Sequence, residues 1–221
     1  PYGIGTFGKE AYQFVDFLEE CNQSYWQVLP LGPTSYGDSP YQSFSVFAGN
    51  PYFIDFDLLE KAGLLEKADY AHLLDETLSI DYGKLYNTRY VVLKKAFANF
   101  DIKLMKEFET TNKDWLEDFA MFMTLKEYHE GKSFLEWEEC YKLREKNALS
   151  EFKKEHLDEV NFWKFTQYIF FEQWNDLREY ANEKGIKIIG DMPIYTALDS
   201  SDVWSHPELF QLGSDLKPKL V

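Results

Sequence analysis

The sequence predicts an α/β fold that is part of a (β/α)8 TIM barrel with large helical insertions. Two short apolar runs, at residues 25–30 and 186–193, are bounded by turn residues, and each follows a helical pattern, which is typical of parallel strands in an α/β repeat. About 155 mostly helical residues separate them. A closed barrel has eight strands and about 250 residues. Two strands in 221 residues therefore predict a fragment of a longer protein.

The first domain, residues 1–56, is predicted to hold the start of the barrel. Residues 1–8 are expected to form a glycine-rich loop. Residues 9–21 are predicted to be a helix because their apolar side chains recur at helical spacing. Residues 25–30 fit a buried strand, and residues 52–56 a second short strand after a long loop.

Residues 57–158 are predicted to be a mostly helical inserted subdomain. A short helix is expected over residues 57–65. Two amphipathic faces follow, made of Tyr82, Leu85, Tyr86, Leu93, Ala96, Phe97 and Phe100, and of Trp115, Leu116, Phe119, Ala120 and Met123. Gly131 is a helix stop signal. Residues 132–158 are charged and mixed, and predict no defined element.

Residues 159–221 are predicted to hold a barrel helix, a strand and the loop that follows. The helix is expected over residues 159–184, and Gly185 suits its C-cap. One stripe of that helix consists of Trp163, Thr166, Phe170, Trp174, Leu177 and Ala181. We interpret this stripe, and the one at residues 115–123, as core-facing and not as a platform for a ligand.

Charge and composition exclude several classes of partner. The formal net charge is −15, and aromatic residues make up 18% of the chain. An acidic surface repels phosphate backbones and anionic lipids, so nucleic acid and membranes are not expected partners. A neutral sugar meets no such penalty.

Other classes are excluded by motif and hydropathy. The two cysteines and four histidines show no metal-ligand spacing, so no metal is expected. The chain has no apolar run of 18 residues and no signal peptide. The simplest predicted location is the cytoplasm.

The long loop at residues 31–50 is the first candidate site. Its glycines and prolines shape turns that would place Tyr36 and Tyr41 on a rigid edge, with Asp38 and Ser39 between them. An aromatic ring can cover the apolar face of a pyranose while short polar groups bind its hydroxyls. The alternative, favoured by composition alone, is a packed surface loop whose tyrosines fill gaps in the core.

Asp191 is the second candidate because it follows an apolar strand. The carboxyl ends of parallel strands hold the active site in barrels. An aspartate that caps the next turn is an equally good interpretation. In the segment 199–204, Asp199 or Ser201 is expected to cap a short helix. Asp202 and Trp204 could instead face a cleft.

Several motifs together resemble the 4-α-glucanotransferases, the family of amylomaltase and disproportionating enzyme. They cover nearly the whole chain in the same order. The matching stretches are WQVLPLGPT at 26–34, YGDSPYQSFS at 36–45, GNP at 49–51, SIDYG at 79–83, FFEQW at 170–174, GDMPIY at 190–195, ALDS at 197–200, DVW at 202–204 and PELF at 207–210.

The resemblance implies a barrel of the α-amylase clan that transfers α-1,4-glucan segments between maltooligosaccharides, or to glucose, with retention of configuration and without a cofactor. By motif, Tyr41 resembles the family's active-site tyrosine and Asp191 its strand-three aspartate, which binds substrate. Tyr36 resembles a tyrosine of an outer glucan-binding groove. Asp38 and Ser39 are expected to touch acceptor sugars, and Tyr82 to extend the outer groove.

The resemblance also implies what the chain lacks. Retaining glycoside chemistry uses two carboxyl groups about 5 Å apart, and no motif here matches the family's nucleophilic aspartate, acid/base glutamate or third, stabilising aspartate. No catalytic residue is therefore assigned, and the chain alone is expected to be inactive. Two alternatives remain: a non-catalytic α-glucan-binding fragment, and a related α-glucan hydrolase.

Overall fold

The described residues are mostly helical and include one small sheet. A computed structural model describes residues 2–35, 37–74, 79–193 and 195–219. The helices are α1 (Lys9–Glu20), α2 (Phe56–Lys61), α3 (Tyr82–Ala98), α4 (Lys106–Thr111), α5 (Leu116–Tyr128), α6 (Glu139–Lys142), α7 (Lys146–Glu155), α8 (Leu157–Glu183) and α9 (Ser201–Ser205). The strands are β1 (Tyr25–Gln27) and β2 (Lys187–Ile189).

The two strands pair in parallel, as predicted. Trp26 lies opposite Ile188. The ladder continues where the Val28 N–H donates to the Ile189 carbonyl over 3.0 Å. A parallel pair needs a long crossover, which the helices between residues 27 and 187 provide.

The strand predicted at residues 25–30 is present over Tyr25–Gln27, but the prediction that it is buried is wrong. Tyr25 is 58% exposed and Ile189 is 46% exposed, and only the middle residue of each strand is half-buried. Among the described residues, each strand has one hydrogen-bonded neighbour. A strand of a parallel sheet becomes buried only when other strands and helices cover its edges and faces.

The predicted strand at residues 52–56 is also absent. Pro51–Phe53 form a 3-10 turn whose start is capped by Asn50, because its Oδ1 accepts from the Tyr52 N–H over 3.0 Å. Asp55 then caps α2 by accepting from the Leu58 N–H over 3.0 Å. Two consecutive caps favour helical turns over a strand.

The longer helices lie close to their predicted positions. α1 was expected over residues 9–21 and α8 over residues 159–184. Gly185 lies two residues after the end of α8 with φ +78°, in the left-handed conformation that ends helices. At the end of α5 this position is taken by Glu130, with φ +54°, and the predicted stop signal Gly131 follows it with φ +81°. The short helices α6 and α7 lie within residues 132–158, for which the sequence predicts no defined element.

The predicted face of α3 is partly wrong. Tyr86 points to solvent, whereas Arg89 is fully buried. The Arg89 Nη2 donates to the Ile54 carbonyl over 2.5 Å, and its guanidinium lies 4.2 Å from the ring centroid of Phe56. Burial lowers the pKa of Arg89 to about 10, although nearby Asp55 opposes this shift.

The chain divides into two compact units. The first contains Pro1–Leu31, Gly49–Leu104 and Phe165–Met192. The second contains Gly32–Ala48, Met105–Lys164 and Pro193–Val221. The domain boundaries inferred from the sequence stay a prediction.

Two glutamines of α8 hold backbone segments of the first unit. The Gln167 amide accepts from the Gly49 N–H over 2.7 Å and donates to the Gly49 carbonyl over 3.0 Å. In the same way, the Gln173 amide accepts from the Asp55 N–H over 2.7 Å and donates to the Asp55 carbonyl over 3.1 Å. Both glutamines are buried. Each therefore satisfies one N–H and one carbonyl that water does not reach.

Replacing Gln173 with Leu should destabilise the chain. The change leaves the Asp55 N–H and carbonyl buried without these partners, which costs about 1–3 kcal/mol. Urea unfolding followed by far-UV circular dichroism measures this loss. Asn175→Leu is the matched control, because Asn175 is exposed on the same helix. An equal effect of both changes would show that the Gln173 bonds contribute nothing specific.

Candidate functional site

The long loop is folded as a narrow antiparallel turn within the second unit. Thr34 and Ser43 form an antiparallel bridge, and the Ser35 N–H donates to the Gln42 carbonyl over 3.0 Å. The buried Ser43 hydroxyl reaches the Pro33 and Ser45 carbonyls, at 2.8 and 2.7 Å. Residues 32–48 therefore have an internal hydrogen-bonded framework although the sequence predicts no element there.

The tip of this loop brings three of the predicted site residues together. The Asp38 N–H donates to the Ser35 carbonyl over 3.1 Å. The Ser39 Oγ accepts from the Tyr41 N–H over 3.3 Å. Tyr41 is 45% exposed, so its tyrosine ring is not used only to fill the core. The predicted site residue Tyr36 lies outside the described residues.

The chemistry offered at this tip is a partly exposed aromatic ring beside a hydroxyl and a carboxylate. Asp38 is exposed, and Ser39 is half-buried. Such a surface suits a ligand that has both an apolar face and hydroxyl groups.

Two consecutive residues at this tip are in the left-handed region, Gly37 with φ +94° and Asp38 with φ +57°. Aspartate tolerates this conformation, and glycine adopts it without cost. The tip geometry therefore depends on Gly37.

Gly37→Ala should strain the tip by about 1–2 kcal/mol, because a Cβ at positive φ meets the adjacent carbonyl oxygen. Apart from Gly37 itself and its two chain neighbours, no atom of the described residues lies within 4 Å of the position that the Cβ would take, so the cost comes from the local backbone conformation and not from tertiary packing. Urea unfolding of this variant tests the expectation. Gly37→Asn is the control and should cost less, because Asn enters this region more readily. Equal stability of the Ala variant and wild type would contradict the argument.

Asp191 lies where the sequence places it, two residues beyond the end of β2. It is half-buried. Since β1 and β2 are parallel, the segment after Gln27 and the segment after Ile189 leave the sheet at the same edge. Asp191 is thus at the carboxyl edge of the sheet in the first unit, and its role in binding stays a prediction.

Tyr82 is the first residue of α3, directly after the N-cap Asp81. Its ring is half-buried and lies 6.5 Å from the ring centroid of Tyr52. Tyr82 and Asp191 belong to the first unit, and the loop tip belongs to the second.

The segment at residues 199–204 is capped differently from the prediction. Ser200 is the N-cap of α9 and accepts from the Val203 N–H over 3.2 Å. Neither Asp199 nor Ser201 takes that role, because both are engaged elsewhere. Asp199 pairs with Lys126 over 2.5 Å. The Ser201 hydroxyl donates to the Phe44 carbonyl over 3.0 Å.

Trp204 does not line a cleft, and one oxygen of the half-buried Asp202 binds the long loop. Trp204 is 2% exposed, and its Nε1 donates to the Tyr141 carbonyl over 2.9 Å. The Asp202 Oδ2 accepts from the Val46 N–H over 2.9 Å. Burial raises the pKa of Asp202, although the bonds from Val46 and Thr196 oppose this shift. No local pattern in the sequence signals the Val46 contact, which joins residues 156 positions apart.

Within the described part of the chain, no three His, Cys, Asp or Glu side chains converge as a metal site. The same ranges contain no helix that is both long enough and apolar enough to span a bilayer.

Solved structures of amylomaltases contain a part whose architecture is similar to that of this chain. The structure of an amylomaltase from Streptococcus agalactiae in complex with acarbose has a TM-score of 0.92 and 46% identity, over 98% of this chain and 45% of that one. An amylomaltase from Corynebacterium glutamicum has a TM-score of 0.69 at 17% identity, and this match supports the fold alone.

The family follows from the sequence match. A family model described as 4-alpha-glucanotransferase matches residues 1–216, and the chain belongs to that family. The 4-alpha-glucanotransferase of Clostridium butyricum is 52% identical over all of this chain and 46% of the relative. That of Thermus thermophilus is 46% identical over all of this chain and 45% of the relative. The chain spans about half the length of the curated relatives it matches. The resemblance read from the motifs is confirmed.

Proposed function

We propose that this chain is part of a 4-α-glucanotransferase, which cuts an α-1,4 bond in a maltooligosaccharide and passes the glycosyl part to another glucan or to glucose with retention of configuration. The observation that carries the proposal is the family match over residues 1–216. A relative solved in complex with acarbose supports a sugar as the ligand class. The acidic surface, with a net charge of −15, is consistent with a neutral ligand and disfavours nucleic acid or anionic membranes as partners.

The fold that we propose is part of a (β/α)8 barrel of the α-amylase clan, with the mostly helical residues 57–158 as its insertion and α8 as a barrel helix. The parallel pairing of β1 and β2 supports this interpretation. We further propose that the protein works in the cytoplasm without a cofactor.

Within this function, the loop tip is the sugar-binding surface. Tyr41 covers the apolar face of a glucosyl unit, and Asp38 and Ser39 bind hydroxyl groups of the acceptor. The exposure of Tyr41 and its position beside Ser39 support these roles. Asp191 binds substrate at the carboxyl edge of the sheet. Tyr36 and Tyr82 extend the outer groove.

Binding of maltoheptaose to the 221-residue chain, measured by isothermal titration calorimetry, tests the sugar surface. Tyr41→Ala should weaken binding about tenfold or more, since truncating a central tyrosine of an interface commonly costs over 1 kcal/mol. Tyr25→Ala is the control, because Tyr25 is comparably exposed but begins β1 at the opposite end of the strand from the carboxyl edge. Equal weakening by both variants, or no binding by the wild-type chain, would reject the surface.

Incubation with maltotriose tests the reaction. We expect this chain alone to produce neither glucose nor longer maltooligosaccharides, because no motif in it matches the family's nucleophile or acid/base. Their appearance with a constant total of reducing ends would show transfer by residues that the motifs did not reveal. A rising total would indicate the alternative reaction, hydrolysis.

A further inference from the structure

We propose that Ser201 and Asp202, at the start of α9, are positioning residues for the sugar-binding loop at residues 32–48. The proposal rests on the function proposed for that loop. All of these residues belong to the second unit. Ser201 and Asp202 are not expected to touch the sugar, and they act through the backbone of the loop.

Three hydrogen bonds join the start of α9 to the loop. The Ser201 N–H and hydroxyl both donate to the Phe44 carbonyl, at 2.8 and 3.0 Å. The Asp202 Oδ2 accepts from the Val46 N–H over 2.9 Å. The helix start therefore holds a carbonyl and an N–H that are two residues apart, at a point three to five residues beyond Tyr41.

The groups on the α9 side are themselves held in place. Ser201 is 3% exposed. The Ser200 side chain caps α9, so the backbone that carries Ser201 and Asp202 begins a regular helix. A carboxylate that accepts a hydrogen bond while partly withdrawn from water binds its donor more strongly than an exposed one does.

A second contact reinforces the same part of the loop. The Lys126 ammonium lies 5.2 Å from the ring centroid of Phe44. It also pairs with Asp199 over 2.5 Å, just before α9. The segment 199–202 therefore acts on the loop through Phe44 and Val46 backbone atoms, and through Lys126 on the Phe44 ring.

The contacts with α9 add to the loop's own hydrogen bonds, in which the Ser45 Oγ accepts from the Phe47 and Ala48 N–H groups just beyond the α9 contact. The tip itself adopts left-handed conformations at Gly37 and Asp38. A binding surface that must become ordered on contact with its ligand loses affinity, whereas a pre-organised one does not. Holding Phe44 and Val46 restricts the motion of the Tyr41 ring before sugar arrives.

Hydrogen exchange at the Val46 amide measures the contact between Asp202 and the loop directly, without any sugar. Asp202→Ala removes the acceptor, and hydrogen–deuterium exchange at Val46 should become about tenfold faster or more, whereas exchange at Trp204 within α9 should stay slow. Asp202→Asn keeps an acceptor oxygen and should retain most of the protection. Unchanged exchange at Val46 in the Ala variant would overturn the proposal.

Maltoheptaose titration of the same variants tests the consequence for binding. Asp202→Ala should weaken binding several-fold, and Asp202→Asn should restore it, which a general loss of stability would not do. If the Ala variant fails to fold, Ser201→Ala replaces it, because that change removes only the side-chain bond to Phe44. If the Ala variant binds maltoheptaose with the affinity of the wild-type chain, despite faster exchange at Val46, the positioning role is overturned. Absence of binding by the wild-type chain would reject the proposed sugar surface. The exchange result at Val46 would then test only whether Asp202 holds the loop.

Discussion

Gly49→Ala should lower the free energy of unfolding by about 3 kcal/mol, at the upper end of the usual cost of overpacking a core. A Cβ at this position would lie 2.1 Å from both Cδ1 and Cε1 of Phe170. Phe170 is 2% exposed and packs 5.2 Å from the ring centroid of Phe7, so its ring has little space to move. The Gly49 backbone cannot retreat freely either, because Gln167 binds both its N–H and its carbonyl.

Thermal and urea unfolding, followed by far-UV circular dichroism, measure this effect. For a chain of this length, 3 kcal/mol corresponds to a fall in Tm of about 6–12 °C. Gly5→Ala is the control and should change little, because among the described residues no atom beyond its two chain neighbours lies within 4 Å of the position that its Cβ would take.

A double variant identifies the clash as the cause. Gly49→Ala combined with Phe170→Ala should be less destabilised than the sum of the two single changes, because removal of the ring makes room for the methyl group. Strict additivity would show that the contact between Gly49 and Phe170 is not responsible.

Trp204→Ala should cost about 3–5 kcal/mol, the range observed when a large buried aromatic side chain is removed. The ring centroid of Trp204 lies 5.9 Å from those of Phe122 and Trp137. The Arg144 guanidinium is 4.2 Å from the Trp204 ring centroid. The indole N–H also donates to the Tyr141 carbonyl. Truncation therefore creates a cavity and removes a buried hydrogen bond at once.

Trp204→Phe separates these two contributions. It keeps an aromatic ring in the core but loses the bond to Tyr141, and should cost about 1–2 kcal/mol of the total. Urea unfolding measured by circular dichroism suits this comparison, since the fluorescence of the chain changes when a tryptophan is removed. A near-neutral Ala variant would show that the packing of Trp204 contributes little to stability and would contradict this prediction.

The sequence alone determined the long helices, the parallel strands and the family. Apolar spacing located α1 and α8 to within two residues at each end, and Gly185 marked the end of α8, where a left-handed residue closes the helix. Helices and their ends depend on interactions between residues a few positions apart, so the local sequence pattern predicts them. The motifs around Tyr41 and Asp191 were specific enough to name the family without any coordinates.

The tertiary structure decided which strand residues are exposed, which serine caps α9 and how the loop is held. Tyr25 is exposed because coverage of a strand depends on its neighbours, and its own apolar run does not contain that information. Gln173 and Asp202 read locally as ordinary polar residues, yet their partners Asp55 and Val46 are 118 and 156 positions away. Chain folding alone brings such pairs together, so the contacts that support the loop could be found only in the folded protein.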